Sequence, residues 1–467
     1  MKQRLIIIVR YTIQLVILAF YVYLFTNLSY PLEGHEDLLK KFSWLDPWGL
    51  INYIRSQGHI PLWIMLSFIT IASAFILGRV FCGWFCPFGT LLMIIDKVSR
   101  FITERLRIGK IEKIRMRLIK RMQPYRYAWL IFLFLLFLFG INVAYMLTPF
   151  ALFSDGIVKS LMGEIPWLLI IVIILTIFFS RIWCSVLCPT GLLLSVISHK
   201  RIFRYQLKEG CVHCSKCSKV CALGADPLET GISKDNCIVC GDCTHACKTN
   251  AVVFKSSSYK KHRTEVESGT KSNSKKLTTE EKRNQLHTRR QFLKLSAAGL
   301  FAAAVVLGEK TVYAMKKVLR PPGSISEEAF ASVCNRCGRC MKVCPNKALK
   351  PMSLENGIEL YGTPYIKARE ASCCLCFSCH EVCPTGAIKK VEFEHVHMGK
   401  AVLYKDRCLV WDQNKLCLIC MEQCPTGAIK YDAHNRPVVH TELCVGCGSC
   451  EKCCAVKGEA AIRVTPK

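Results

Sequence analysis

Apolar residues run almost unbroken through positions 5–25, 62–77, 127–147 and 167–179. Some of these runs are short, but apolar flanks extend them towards the ~20 residues that cross a bilayer. The pattern predicts four transmembrane helices. Beyond position 200 the text changes to short, polar-rich stretches interrupted by cysteine, too brief for spanning helices. Residues 256–287 are serine-rich and charged, a composition that buries no core and predicts a linker. A further apolar run rich in Ala and Gly, 295–307, predicts a fifth membrane segment.

Charge orients these helices. Segment 26–60 carries three Lys/Arg against four acids, and 148–166 carries only Lys159 against Asp155 and Glu164. Segment 78–126 carries twelve Lys/Arg against three acids, and Arg181, Lys200, Arg201 and Arg204 follow the fourth run. The positive-inside bias places 78–126, the amino terminus and the region after helix four in the cytoplasm of a bacterial inner-membrane protein. The net charge of +29 is thereby accounted for by basic cytoplasmic loops, and no nucleic acid is expected. Just before the fifth run stands Thr288-Arg289-Arg290-Gln291-Phe292-Leu293-Lys294. This order resembles a twin-arginine export signal, with a plain fifth helix as the alternative. Both readings place 316–467 outside the cytoplasm. No clean small-x-small site follows, so a retained anchor is expected.

Thirty cysteines demand either disulfides or metal ligation. Spacing decides, because most fall into one repeated run, CxxCxxCxxxC, in which one loop wraps three irons of a [4Fe-4S] cluster and the fourth thiolate reaches a neighbouring cluster. Six such motifs are present. Two lie in residues 201–255: Cys211, Cys214, Cys217 and Cys221; and Cys237, Cys240, Cys243 and Cys247. The crossover rule predicts one cluster on Cys211, Cys214, Cys217 and Cys247, and its mate on Cys237, Cys240, Cys243 and Cys221. Four lie in 316–467: Cys334, Cys337, Cys340 and Cys344; Cys373, Cys376, Cys379 and Cys383; Cys408, Cys417, Cys420 and Cys424; and Cys444, Cys447, Cys450 and Cys454. The third of these is widened by an insertion holding Trp411. First-with-fourth and second-with-third pairing competes here with sequential pairing. Cys374 and Cys453 flank ligands as spares. Cys376-Phe377-Ser378-Cys379-His380 matches the CxxCH haem signature, but it is embedded in a complete cluster run, and no haem is predicted.

The remaining four cysteines belong to an internal repeat. Arg79-Val80-Phe81-Cys82-Gly83-Trp84-Phe85-Cys86-Pro87-Phe88-Gly89 corresponds to Arg181-Ile182-Trp183-Cys184-Ser185-Val186-Leu187-Cys188-Pro189-Thr190-Gly191, which implies a duplicated helix pair. Cysteines four apart share a helical face, so Cys82, Cys86, Cys184 and Cys188 are candidates for a joint site. Three readings stand: a metal or cluster site, a redox dithiol, or packing cysteines at a tight helix end. Arg79 and Arg181 are candidate contacts for a quinone oxygen or a phosphate headgroup, or they snorkel to lipid.

With the four helices, the two CxxxCP turns and the two-cluster module, residues 1–255 resemble the NapH family, the membrane quinol-oxidising component beside periplasmic nitrate reductase. The membrane domain of nitrous oxide reductase maturation regulators shares these motifs. From about 285 onward, the twin-arginine start and the widened third motif resemble NapG, its exported four-cluster partner. The resemblance implies a fusion of the two. The expected fold is multi-domain, an α-helical membrane bundle plus α+β ferredoxin-like [4Fe-4S] domains. The expected units are a membrane domain at 1–200, a two-cluster cytoplasmic module at 201–255, a linker at 256–287, the twin-arginine segment and fifth helix at 288–315, and a four-cluster extracytoplasmic domain at 316–467. The expected function is electron transfer from the quinone pool, with quinol as donor, through six [4Fe-4S] clusters to a periplasmic reductase or cytochrome, as a quinol dehydrogenase component. A redox maturation factor for a metalloenzyme and a redox-sensing regulator are the alternatives. No dinucleotide fingerprint or Walker loop stands in a suitable context.

Overall fold

The computed structural model describes residues 2–32, 34–51, 65–106, 115, 118–119, 122–123, 125–138, 142–208, 210–225, 236–256, 317–357 and 359–467. The linker, the twin-arginine segment and the fifth apolar run expected from the sequence lie outside these residues.

The amino-terminal region is helical. Helix α1 (Lys2–Thr26) has neither Gly nor Pro to interrupt it, and its stretch Leu5–Thr26 is long and apolar enough to cross a membrane. There follow α2 (His35–Ser43), α3 (Met65–Ile76), α4 (Pro87–Arg105), α5 (Tyr125–Leu138), α6 (Val143–Met146), α7 (Pro149–Leu161), α8 (Trp167–Phe179) and α9 (Pro189–Ile197). Within the described residues the apolar helices α3, α5 and α8 run for 12, 14 and 13 residues. At 1.5 Å per residue, the 13 residues of α8 reach ~20 Å.

The two repeats directly follow α3 and α8. After α3 and again after α8 the chain turns sharply, at Gly78 (φ 100°) and Ser180 (φ 57°). Ser180 is held in this uncommon backbone state by its hydroxyl, which donates to Asp96 Oδ1 at 2.6 Å. Both turns then run through a π-helical segment, Phe81–Phe85 and Trp183–Leu187, and feed α4 and α9 with proline in the first turn, where its missing N–H costs nothing. Each turn carries one cysteine, Cys86 or Cys188, into the core of the helical region. Tyr21 of α1 stacks on Phe153 of α7 at 5.5 Å, and Phe88 of α4 packs on the same ring at 5.6 Å. Cys86 and Cys188 are buried in the core that these aromatic residues share.

Residues 203–256 close on themselves through antiparallel strands β1 (Phe203–Leu207) and β2 (Val252–Ser256), paired Phe203 to Ser256 and Leu207 to Val252. The carboxy-terminal region contains three further antiparallel pairs: β3 (Leu349–Pro351) with β4 (Pro364–Ile366), β5 (Gly399–Leu403) with β8 (Ile462–Pro466), and β6 (Ile429–Tyr431) with β7 (Pro437–Val439). These strands are too short to form a self-sufficient sheet. Cysteines supply much of what they pack against: Ala401, Ile429 and Ile462 share a core with Cys420, Cys424, Cys444, Cys450 and Cys454.

The two cysteine-rich modules dock at opposite ends of α1. Near its start, Arg10 pairs with Asp242 at 2.9 Å and donates to the Cys240 carbonyl. Near its end, the Arg339 guanidinium lies 5.3 Å over the Phe25 ring. The second module also touches α7, where Gly338 (φ 75°) lets Val158 approach to a distance that a Cβ would fill.

Candidate iron-sulfur sites

In the ferredoxin-like motifs the backbone alternates its hand around the second cysteine. His213 and Ser215 flank Cys214, Val239 and Gly241 flank Cys240, Arg336 and Gly338 flank Cys337, Leu375 and Phe377 flank Cys376, and Gly446 and Gly448 flank Cys447, all with positive φ. Such alternation curls successive N–H groups into a concavity that holds an anion, as in many Fe–S sites. Strain at Val239, Leu375 and Phe377, apolar residues that avoid this backbone state elsewhere, is consistent with a loop shaped around a ligand. The widened motif, which lacks the first CxxC spacing, has its positive φ at Asn414 instead.

The thiols converge in fours. Cys221, Cys237, Cys240 and Cys243 line one cavity. In the carboxy-terminal region Cys334, Cys337 and Cys340 share a cavity with Cys383, and Cys373, Cys376 and Cys379 share one with Cys344, which Cys374 also lines. Cys444, Cys447 and Cys450 share one with Cys424. Cys408, Cys417 and Cys454 pack in one apolar group, within electrostatic reach of Cys420. Of the two arrangements that the sequence left open, the geometry is the sequential one, first motif with second and third with fourth. Cys374 is exposed, and the Cys453 thiol donates to Gln423 Oε1 at 3.9 Å.

These sites fit an iron–sulfur cluster on two counts. Burial first, and the neighbouring thiols Cys417 and Cys408 second, push Cys420 up to about 11. Burial, with Asp242 and Cys221 beside it, pushes Cys240 up to about 12. Thiolates in such places need a positive charge among them, which cluster iron brings. Backbone amides already point at sulfur: Ala348 N donates to Cys344 Sγ, Ala401 N to Cys444 Sγ and Ala461 N to Cys454 Sγ, each at 3.4 Å. Among the described residues, no three His, Cys, Asp or Glu side chains converge closely enough for a single metal ion. A cubane spreads its thiolates more widely.

The repeat cysteines lie deeper, in the helical layer. Cys86 caps α4 and Cys188 caps α9 in the same way, with sulfur accepting from Gly89 N at 3.2 Å and from Gly191 N at 3.3 Å. The two halves cross-link each other. Arg79 Nη2 donates to the Cys184 carbonyl at 2.8 Å, and Arg181 Nη2 to the Gly89 carbonyl at 3.3 Å. Both guanidiniums are buried. Any side chain at Gly191 would collide with Arg79, which explains the glycine that closes the repeat.

Three further residues of this region were not singled out by the sequence reading: Arg10, Gln14 and Asp46. Gln14 Nε2 donates to the Gly83 carbonyl at 2.5 Å. Asp46 is buried and accepts from Thr190 Oγ1 at 2.8 Å and Trp48 N at 3.0 Å. The signal for Arg10 and Gln14 was their lone polarity within the apolar run 5–25. Asp46, in a mixed loop, had none.

A family model described as a 4Fe-4S binding domain matches residues 60–105 and 164–206, so one copy covers each CxxxCP turn. A second, described as a 4Fe-4S dicluster domain, matches residues 333–411. Among curated proteins, the ferredoxin-type protein NapG of Escherichia coli is 39% identical over 200 residues, which are 38% of this chain and 85% of that one. The methylamine utilization ferredoxin-type protein MauM of Methylorubrum extorquens is 38% identical over 183 residues, 36% of this chain and 81% of that one. NapG of Haemophilus influenzae is 33% identical over 201 residues, covering 38% and 71%. No solved structure matches.

Proposed function

Because this chain belongs to the ferredoxin-type family of NapG and MauM, an iron–sulfur electron-transfer family, we propose that it carries electrons across a membrane, from quinol to an extracytoplasmic oxidoreductase. The observation that carries this reading is the placement of the two cysteine-rich modules at opposite ends of α1. Arg10, at one contact, and Phe25, at the other, are 15 residues apart, roughly 22 Å along a helix axis. That is most of a bilayer's hydrocarbon thickness.

In this reading the NapH-like bundle and the NapG-like domain are joined in one polypeptide. The basic segment 78–126 holds the 203–256 module in the cytoplasm, and the 317–467 region faces outward. Clusters on the ferredoxin-like thiol sets supply one-electron chemistry when bound. The chain's own residues do the rest. Arg10 and Trp84 hold the inner module on the bundle, the latter donating to the Val239 carbonyl at 3.1 Å. On the outer side Asn142 Nδ2 donates to the Ser332 carbonyl at 2.5 Å, which fixes the second module against α6. Oxidation of one quinol releases two protons to water and two electrons, delivered singly to the acceptor.

The test is full-length protein in liposomes containing menaquinol or ubiquinol, with a membrane-impermeant one-electron acceptor outside. The expected result is two acceptors reduced for each quinol oxidised. No quinol oxidation, or oxidation only with acceptor on the cytoplasmic side, would refute the reading.

A further inference from the structure

Of the 24 cysteines in the six ferredoxin-like motifs, Cys214 alone is exposed. It lies in the inner module, on the loop where His213 and Ser215 carry positive φ. Two thiols of its set are better covered: Cys217 and Cys247 pack in one small core with Tyr205 and Val252. A centre on Cys211, Cys214, Cys217 and Cys247 therefore shows one ligand to water. Its mate on Cys221, Cys237, Cys240 and Cys243 faces the bundle instead, because Arg181 lines the same cavity and Arg10 donates to the Cys240 carbonyl.

The surface beside Cys214 has an apolar centre and a basic rim. Val212 is 67% exposed and Val220 37%. Lysines flank them on both loops of the set. Lys208 and Lys216 stand on either side of Cys211 and Cys214, Lys219 and Val220 share a face with Lys216 on the helix Lys216–Val220, and Lys248 follows Cys247. All four lysines are exposed, and none pairs with an acid among the described residues. Glu209 is the one acid in positions 208–225, and 243–256 has none. We propose that this face docks a small acidic one-electron carrier protein, which delivers electrons to the inner module past Cys214.

Position favours this occupant. Electrons that pass from quinol to an outer acceptor leave by the Phe25 end of α1 and have no use for a module at the Arg10 end. A soluble donor gives that module a role, as a second entrance that goes beyond the quinol reading. The reduced carrier gives up one electron to the centre and departs oxidised, and no proton moves. An exposed ligand shortens that transfer, and a small apolar centre suits a partner that must leave after each electron.

Charge selects the carrier. A lysine rim speeds encounter with an acidic surface and repels a basic one. The chain's own segment 257–287 carries eight Lys/Arg against four acids, the wrong sign to cover this face. The bundle takes a different side of the module, through the carbonyls of Ala222, Gly224, Val239 and Cys240, which leaves the Cys214 loop open to solvent.

The experiment uses full-length protein with its clusters, in discs of zwitterionic lipid, and a plant-type [2Fe–2S] ferredoxin as the acidic carrier, with its carboxylates intact or amidated. Calorimetry reads binding with both partners oxidised, and the absorbance of the reduced carrier after mixing reads electron delivery. Quinol takes no part, so failure of the quinol reading leaves this test intact. The intact carrier is expected to bind and to deliver its electron. Its affinity should fall about tenfold between low and moderate salt, and about tenfold in Lys216→Glu/Lys219→Glu. Lys389→Glu/Lys390→Glu, an equal charge change on exposed positions of the outer module, should bind as the wild type does. Absent binding, binding without electron delivery, indifference to salt, or an amidated carrier bound equally well overturns the proposal. Displacement of the carrier by anionic lipid in the disc also overturns it, by assigning the lysines to the bilayer surface. The salt, amidation and lipid arms use the wild type, so they decide the outcome even where a lysine variant loses iron.

Discussion

Arg339 of the outer module donates to Ser43 Oγ at 2.7 Å, across 296 positions of chain. The same guanidinium lies over the Phe25 ring and within electrostatic reach of Cys337. One side chain therefore both docks the module and sets the field at a thiol of its first ligand group. Removing its charge disfavours the reduced, more negative state of a cluster held there. Arg339→Gln should lower that centre's midpoint potential by tens of millivolts, about 59 mV for each tenfold shift in a one-electron equilibrium. An EPR-monitored redox titration checks this, and an unchanged potential in a protein with full iron content would count against the assignment.

Gly83 makes the corresponding contact on the inner side. A Cβ there would lie 2.1 Å from the Ile238 carbonyl oxygen, and backbone cannot yield as a side chain does. Gly83→Ala should separate the loop bearing Val239 and Cys240 from the bundle, at a cost of roughly 1–3 kcal/mol for a forced backbone shift. Iron content should be retained while electron exchange between the inner module and the rest of the chain slows. Hydrogen exchange should rise at the Trp84 indole N–H, which then loses its bond to the Val239 carbonyl. Equal protection in the variant and the wild type would refute the contact.

The iron–sulfur ferredoxin character was legible in cysteine spacing alone, because a loop that wraps a cluster leaves little freedom in the intervals between its ligands. Family models and relatives agree with that coarse reading. Pairing in the outer module was not legible. It depends on which helix end meets which loop, as when Cys344 reaches the loop of Cys373 and Cys376, and local spacing has no knowledge of that approach. The π-helical turns were hidden for a different reason. Apolar text from 167 to 179 reads as one uninterrupted run, whereas the 13-residue helix there is followed by a π-helical turn to Cys188 built from equally apolar residues. Arg10 was visible as a lone charge in an apolar run, but its partner Asp242 is 232 positions away.

Sequential pairing makes an asymmetric prediction for the widened motif. Cys454→Ser should impair the centre on Cys408, Cys417 and Cys420, and Cys424→Ser the centre on Cys444, Cys447 and Cys450. Each variant should lose one cluster's iron and a different EPR component. Cys374→Ser and Cys453→Ser, in contrast, should retain full iron content, with stability within about 0.5 kcal/mol of the wild type, as for substitutions away from packed features. If Cys454→Ser and Cys374→Ser lose iron alike, the grouping of thiols is wrong.

Cluster removal should unfold the outer module while leaving the helical region folded. Strands β5 to β8 are three to five residues long, and the core they share includes Cys420, Cys424, Cys444, Cys450 and Cys454. Without iron those thiols repel as they ionise and leave a hollow behind, so ligand binding energy is folding energy here. The core around Tyr21, Phe88 and Phe153 is, in contrast, mostly aromatic and aliphatic. After oxidative destruction of the clusters and chelation of the iron, amide protection at Val402 and Arg463, which pair across β5 and β8, should fall to that of an unfolded chain, whereas most of the helical circular dichroism should persist. Protection retained at both amides in iron-free protein would show that the strand pairs stand without clusters.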